Sequence, residues 1–121
     1  MTQTAKSIRA FIGAKDYNIS RQFYKDLGFA ESILSQNMSY FSLQEGLGFY
    51  LQDAYVKDWV DNSMIFLEVA NVDAYYEALQ LLALPEKYEG VKVIPVRIEA
   101  WGKECFLHDP AGVLWHFGEF N

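Results

Sequence analysis

The order of its elements constrains this 121-residue chain more than anything else, because one order occurs twice. Alternation predicts a strand over Ser7–Ala14, with Ile8, Ala10 and Ile12 on one face and Arg9, Phe11 and Gly13 on the other. A helix is expected over Asn18–Leu27. Asp16 or Asn18 caps its free N–H groups, Ile19, Phe23, Tyr24 and Leu27 make one apolar stripe, and Gly28 supplies the left-handed stop. Three short strands follow over Phe29–Ser35, Ser39–Leu43 and Leu47–Gln52, with tight turns at Asn37 and at Glu45-Gly46. After a connecting segment, Ala54–Asn62, the order returns. A strand over Ser63–Val69 leads to a helix over Val72–Leu82 capped by Asn71, and Pro85 and Gly90 end that region. Strands are then expected near Val91–Arg97, Lys103–His108 and Val113–Glu119. Asp109-Pro110-Ala111-Gly112 turns the chain between the last two, since Pro presets φ and Gly tolerates positive φ.

Each half therefore reads β-α-β-β-β, over 7–53 and 63–119, with 54–62 as the link. The two helices share an aromatic pair, Phe23-Tyr24 and Tyr75-Tyr76. One such unit has an apolar helix face and a half-buried sheet face, and it cannot cover both alone. The expectation is an α+β fold of tandem βαβββ modules joined as a single domain over 1–121.

Composition narrows the function classes. The chain has 16 acidic against 10 basic residues, a net charge of −6 that repels phosphate backbones and argues against nucleic acid as a partner. The same charge attracts a cationic ligand at long range, or simply keeps the protein dispersed. No apolar run is long enough to span a bilayer, and the polar start, Met1 to Lys6, is not a secretory signal, so no membrane partner is expected. Cys105 is the only cysteine, which excludes an internal disulfide and a thiolate metal cluster; the default compartment is the reducing cytoplasm.

Two blocks carry a family resemblance. Ile12-Gly13-Ala14-Lys15-Asp16 through Phe23-Tyr24-Lys25-Asp26-Leu27-Gly28-Phe29 resembles the opening of the glyoxalase/bleomycin-resistance/dioxygenase (vicinal oxygen chelate) superfamily: a strand, a D-x-x-x-S-x-x-F-Y helix, then L-G-F. Ala100-Trp101-Gly102-Lys103-Glu104, Leu107-His108-Asp109-Pro110-Ala111-Gly112 and His116-Phe117 resemble the C-terminal signature of its bleomycin-resistance branch. The resemblance implies curved mixed sheets around a cavity and a homodimer whose clefts are lined by both subunits. In metal-dependent members four positions, one each on the first, fourth, fifth and last strands, hold a divalent ion through His and Glu. By the flanking motifs these positions fall here on Arg9, Tyr50, Met64 and His116. A divalent ion needs several imidazole or carboxylate donors, and an arginine, a neutral phenol and a thioether do not supply them. We therefore expect no metal, no cofactor and no catalytic residue.

The expected function is metal-independent binding of a small aromatic or amphipathic molecule, as in bleomycin-resistance proteins. The resemblance places Phe66 and Trp101, with Tyr50, against flat rings. Arg9, Glu68 and His116 are the polar candidates, and Phe11, Met64 and Trp59 complete the set. Each has a structural alternative: aromatics at strand spacing are often core, and His116 is equally a satisfied inward histidine. Arg9, if inward, pairs with Glu68, in phase with Met64 and Phe66, or receives a ligand carboxylate or phosphate. Cys105 has no base near it in sequence and reads as a small core residue. A metal-dependent lyase, isomerase or dioxygenase is one alternative function. A domain with a collapsed cavity, in which Phe11, Tyr50 and Phe66 pack on one another, is the other.

Overall fold

The computed structural model describes residues 2–44 and 46–121, so the Glu45 half of the expected Glu45-Gly46 turn, and Met1, lie outside the described residues. The first half runs β1 (Phe11–Gly13), α1 (Tyr17–Asp26), β2 (Ala30–Ser35), β3 (Met38–Gln44) and β4 (Leu47–Gln52). The second runs β5 (Met64–Glu68), α3 (Val72–Leu82), α4 (Leu84–Lys87), β6 (Lys92–Glu99), β7 (Gly102–His108) and β8 (Leu114–Phe120), with α2 (Lys57–Asp61) in the connecting segment. Each half makes a four-stranded mixed sheet, in the orders β1-β4-β3-β2 and β5-β8-β7-β6. The first strand of each half pairs parallel to the last, and the others are antiparallel.

The expected order of elements holds, with three differences. The first strand is confined to Phe11–Gly13, and residues 7–10 lie exposed outside any strand, with Ile8 almost fully exposed. Two short helices, α2 and α4, were not expected; five and four residues are too few for periodicity to register. Strands β6 and β8 end at Glu99 and Phe120 rather than Arg97 and Glu119. The caps follow the sequence. Asp16 accepts from the Ile19 N–H at 3.2 Å, and Asn71 accepts from the Ala74 N–H at 3.0 Å.

The inner faces of both sheets and the helix stripes meet in one aromatic core. Tyr24 of α1 touches Phe29, Phe41, Phe49 and Trp115, and the Phe49 and Trp115 rings, one from each half, lie 5.3 Å apart. A polar link crosses the same seam. The Tyr24 hydroxyl donates to Asp109 Oδ2 at 2.6 Å and accepts from the Trp115 indole N–H at 3.0 Å. The other Asp109 oxygen, Oδ1, accepts from the N–H groups of Ala111, Gly112 and Val113, each at 2.9 Å, which closes the D-P-A-G turn. Burial pushes the Asp109 carboxyl above its ordinary range, and the hydroxyl and the three amides act against that rise. Cys105 is fully buried, and burial pushes its thiol up to about 11, which rules out a standing thiolate. No helix among the described residues is long and apolar enough to cross a membrane.

Glu31, at the start of β2, is tied to α1 by a two-pronged fork. Arg21 Nε donates to Oε2 at 2.6 Å and Nη2 to Oε1 at 3.1 Å, while the Ser39 hydroxyl donates to Oε2 at 2.7 Å. The Arg21 fork holds the Glu31 carboxyl below the ordinary glutamate range.

Two outcomes follow for stability. Tyr24→Phe strands a buried carboxylate oxygen and a buried indole N–H, and is expected to cost about 1–3 kcal/mol in urea unfolding. For Glu31 the folded state binds its proton less readily than the unfolded chain, so its contribution is present above the unfolded value and is lost as pH falls through the folded one. The stability gap between the wild type and Arg21→Gln, read from denaturation midpoints, is therefore expected to be full near neutrality and to close on acidification below about pH 4.

Candidate functional site

Strand alternation separates an inner face, occupied by the core, from an open face on each sheet. The open faces carry two polar-aromatic clusters, one per half, built on equivalent positions. In the first half Phe11 lies opposite Tyr50, and in the second Phe66 lies opposite His116. The residue two places before each phenylalanine is Arg9 in one half and Met64 in the other.

The second-half cluster is the larger. The Phe66 ring lies 5.9 Å from Trp101, 5.7 Å from Phe120 and 6.3 Å from His116, near-parallel to the imidazole. Phe106 meets the same imidazole edge-on at 5.0 Å. Trp101 is placed by the turn between β6 and β7, where Gly102 lies so close to the Glu119 carbonyl that a Cβ would sit 2.0 Å from its oxygen. Gly118 works in the same way for Phe66: a Cβ there would meet the far end of the ring at 2.2 Å, so the absence of a side chain lets the ring lie flat on the sheet. Glu104, on the neighbouring strand, holds His116 Nδ1 at 2.8 Å. A carboxylate oxygen accepts, so in this contact Nδ1 carries the hydrogen and Nε2 is left facing outward from the pair. Met64 and Glu68 are exposed in phase with Phe66.

The first-half cluster gathers Arg9, Phe11, Tyr50 and Tyr40. Phe11 stacks on Tyr50 at 4.8 Å. Arg9 Nη1 donates to the Tyr50 hydroxyl at 2.9 Å, and its guanidinium lies 4.3 Å from the centroid of the Tyr40 ring. The hydrogen bond to Tyr50 holds the Arg9 pKa above the ordinary arginine value. Tyr40 lies over Gly48, where a Cβ would meet its hydroxyl at 2.1 Å.

Eight of the nine expected residues thus lie on the two open faces. Trp59 is the exception. It sits in α2, half-buried on the core, with its ring 2.7 Å from where a Gly13 Cβ would stand. The Arg9–Glu68 pair, one of the alternatives for Arg9, is not formed: Arg9 is exposed and takes Tyr50 as its partner. Nor do Phe11, Tyr50 and Phe66 collapse on one another, because Phe66 packs with the second-half rings. Tyr40, Glu104, Phe106 and Phe120 were not chosen from sequence. Tyr40 had no local signal: the Gln44–Leu47 pairing beside the turn would set Phe41 opposite Tyr50, and an irregularity between Ser42 and Gln44 shifts the register so that Tyr40 faces Tyr50 instead.

The donor set at the four positions implied for a metal is an arginine hydrogen-bonded to a phenol, an exposed thioether and one imidazole already held by Glu104. Among the described residues no three His, Cys, Asp or Glu side chains converge. These residues do not fit a divalent ion.

Because each ring rests on its own glycine, the clusters are expected to respond separately. Gly118→Ala moves the Phe66 and His116 ring signals in NMR spectra and spares those of Tyr40 and Tyr50, whereas Gly48→Ala does the reverse.

No family model and no curated protein matches the sequence. Solved structures do match. The bleomycin-binding protein from bleomycin-producing Streptomyces verticillus, complexed with copper(II)-bleomycin, superposes with a TM-score of 0.82 over 100% of both chains at 20% identity. The bleomycin resistance determinant encoded on transposon Tn5 gives 0.77 at 13% identity, covering 97% of this chain and 99% of its own. The fosfomycin resistance protein FosX from Listeria monocytogenes, complexed with Mn(II) and sulfate, gives 0.71 at 18% identity, covering 98% and 93%. The paired βαβββ sheets of this chain are the fold of the glyoxalase/bleomycin-resistance/dioxygenase proteins, with bleomycin-binding proteins among its structural relatives.

Proposed function

We propose that this protein binds a small aromatic or amphipathic molecule reversibly and without a metal, holding it against the open sheet faces of a homodimer. The observation that carries this reading is the shelf made by Phe66, Trp101 and Phe120 beside the Glu104-held His116. It offers flat apolar area next to one fixed polar edge. Ring stacking on such a surface contributes about 0.5–1.5 kcal/mol per aromatic pair beyond area burial. Structural relatives include two bleomycin-binding proteins solved with bleomycin bound, which supports sequestration as the mode of action.

The dimer part of the reading rests on exposed apolar area. Phe11, Met64, Phe66 and Phe120 are 50, 65, 45 and 53% exposed, all on the open faces. Such a grouping belongs to a surface that is covered in use. Pairing two copies brings covering surface to these faces and forms a cleft, and the domain stays in the cytoplasm as a binder of small molecules.

A second reading, a metal-dependent enzyme, is favoured by the likeness to FosX with Mn(II). Elemental analysis of purified protein separates the two, because a stoichiometric divalent metal supports the enzyme and overturns the metal-free binder. The binder itself is tested by a thermal-shift screen over metals, bleomycin-type drugs and aromatic metabolites, since a ligand of the native state raises its midpoint by mass action. Trp101→Ala is expected to weaken any hit by about tenfold, consistent with loss of one or more ring contacts. Unchanged affinity by calorimetry removes Trp101 from the site.

A further inference from the structure

We propose that the Arg9–Tyr40–Tyr50 cluster is a receptor for an anionic group, a carboxylate or a phosphate, so that the ligand is an aromatic molecule carrying negative charge. This rests on the ring-binding reading above and adds to it the charge of the ligand.

The chain has three arginines. Arg21 forks onto Glu31 and Arg97 reaches Glu99 at 3.4 Å. Arg9 has no carboxylate at ion-pair distance among the described residues, although acids outnumber bases by 16 to 10. Its position is nonetheless fixed. The guanidinium stacks on Tyr40 at 4.3 Å, with Tyr50 5.7 Å away, and gives one N–H to the Tyr50 hydroxyl. A flexible surface arginine loses rotamer freedom in such an arrangement, and here the gain is not an ion pair. The other four N–H groups meet no acceptor among the described residues, and the Tyr50 hydroxyl, having accepted from Arg9, keeps its own hydrogen to donate. A planar fork backed by an aromatic plate, with a phenol beside it, matches the oxygens of a carboxylate or phosphate. Gly48 belongs to the same device, because a side chain there would lift Tyr40 from the sheet. An overall acidic protein repels anions at long range, so such a site selects by contact rather than by steering.

The test uses three probes sharing one ring system: naphthoate, naphthyl phosphate and the neutral naphthylmethanol, titrated against the full chain by calorimetry. At least one anion is expected to bind about tenfold tighter than the neutral probe, the margin of a charge-assisted fork. Arg9→Gln removes that margin while leaving naphthylmethanol within about twofold, and Arg9→Lys restores only part of it because an ammonium lacks the fork. Equal binding of the neutral probe, or a margin that survives Arg9→Gln, overturns the proposal. A parallel NMR titration follows the arginine Nε signals with inorganic phosphate and with acetate, which separates the two anion classes. A saturating shift at Arg9, absent from Arg21 and Arg97, keeps the anion site even where no naphthyl probe binds; in that case the ring-binding reading fails instead. No shift at Arg9 overturns the anion site. If Arg9→Gln converts a dimer to a monomer without changing the probe margin, the acceptor is a carboxylate of a second copy and the proposal falls.

Discussion

The contact on which the rest of the structure depends is the buried hydroxyl of Tyr24. It comes from the first helix, yet its partners, Asp109 and Trp115, belong to the last hairpin, 85 and 91 residues away. Apolar packing would hold two amphipathic halves together in many orientations. A hydroxyl that must reach one carboxylate oxygen and one indole N–H allows few, because leaving any of the three unpaired in that core is costly. The carboxylate passes the constraint on, since its other oxygen organises the Ala111–Val113 turn and so sets the register of β7 on β8. That register places His116 opposite Phe106 and the Glu104 side chain within reach of the imidazole.

With the inner faces fixed against each other, the two outer faces are free to carry chemistry. The halves use this freedom differently. At equivalent positions one presents an arginine and a phenol, the other a thioether and an imidazole held by a carboxylate. A duplicated scaffold of this kind supplies the same two places twice over, and the side chains standing there decide what each face can hold. Flatness of the exposed rings comes from two glycines rather than from the rings themselves.

Much of this was legible in the sequence. Period-2 and period-3.6 patterns, two Asx caps and the D-P-A-G turn are local signals, and they specify the βαβββ order in each half. The motif blocks pointed to Phe66, Trp101, Tyr50 and His116, and all four lie on open faces. What escaped depends on tertiary geometry. The strand expected from Ser7 is shorter, since only Phe11–Gly13 pair with β4 even though β4 runs back to Leu47. Arg9 was left open between an inward ion pair and a ligand contact, because alternation does not say which face the helix will cover. Trp59 looked like a loop aromatic, and an unforeseen turn of helix carried it onto Gly13. Tyr40 and Phe120 were passed over because the glycines that face them across the sheet, Gly48 and Gly102, matter only once the strands are paired.

The lone thiol of Cys105 has a practical meaning. It lies at zero exposure on the inner face of β7, and burial holds it near 11, so a thiol reagent at neutral pH finds neither access nor thiolate in the native molecule. Labelling then waits on opening of the second sheet. The protein carries its own chemical clock: the rate at which this one sulfur is alkylated reads out how often that sheet comes apart.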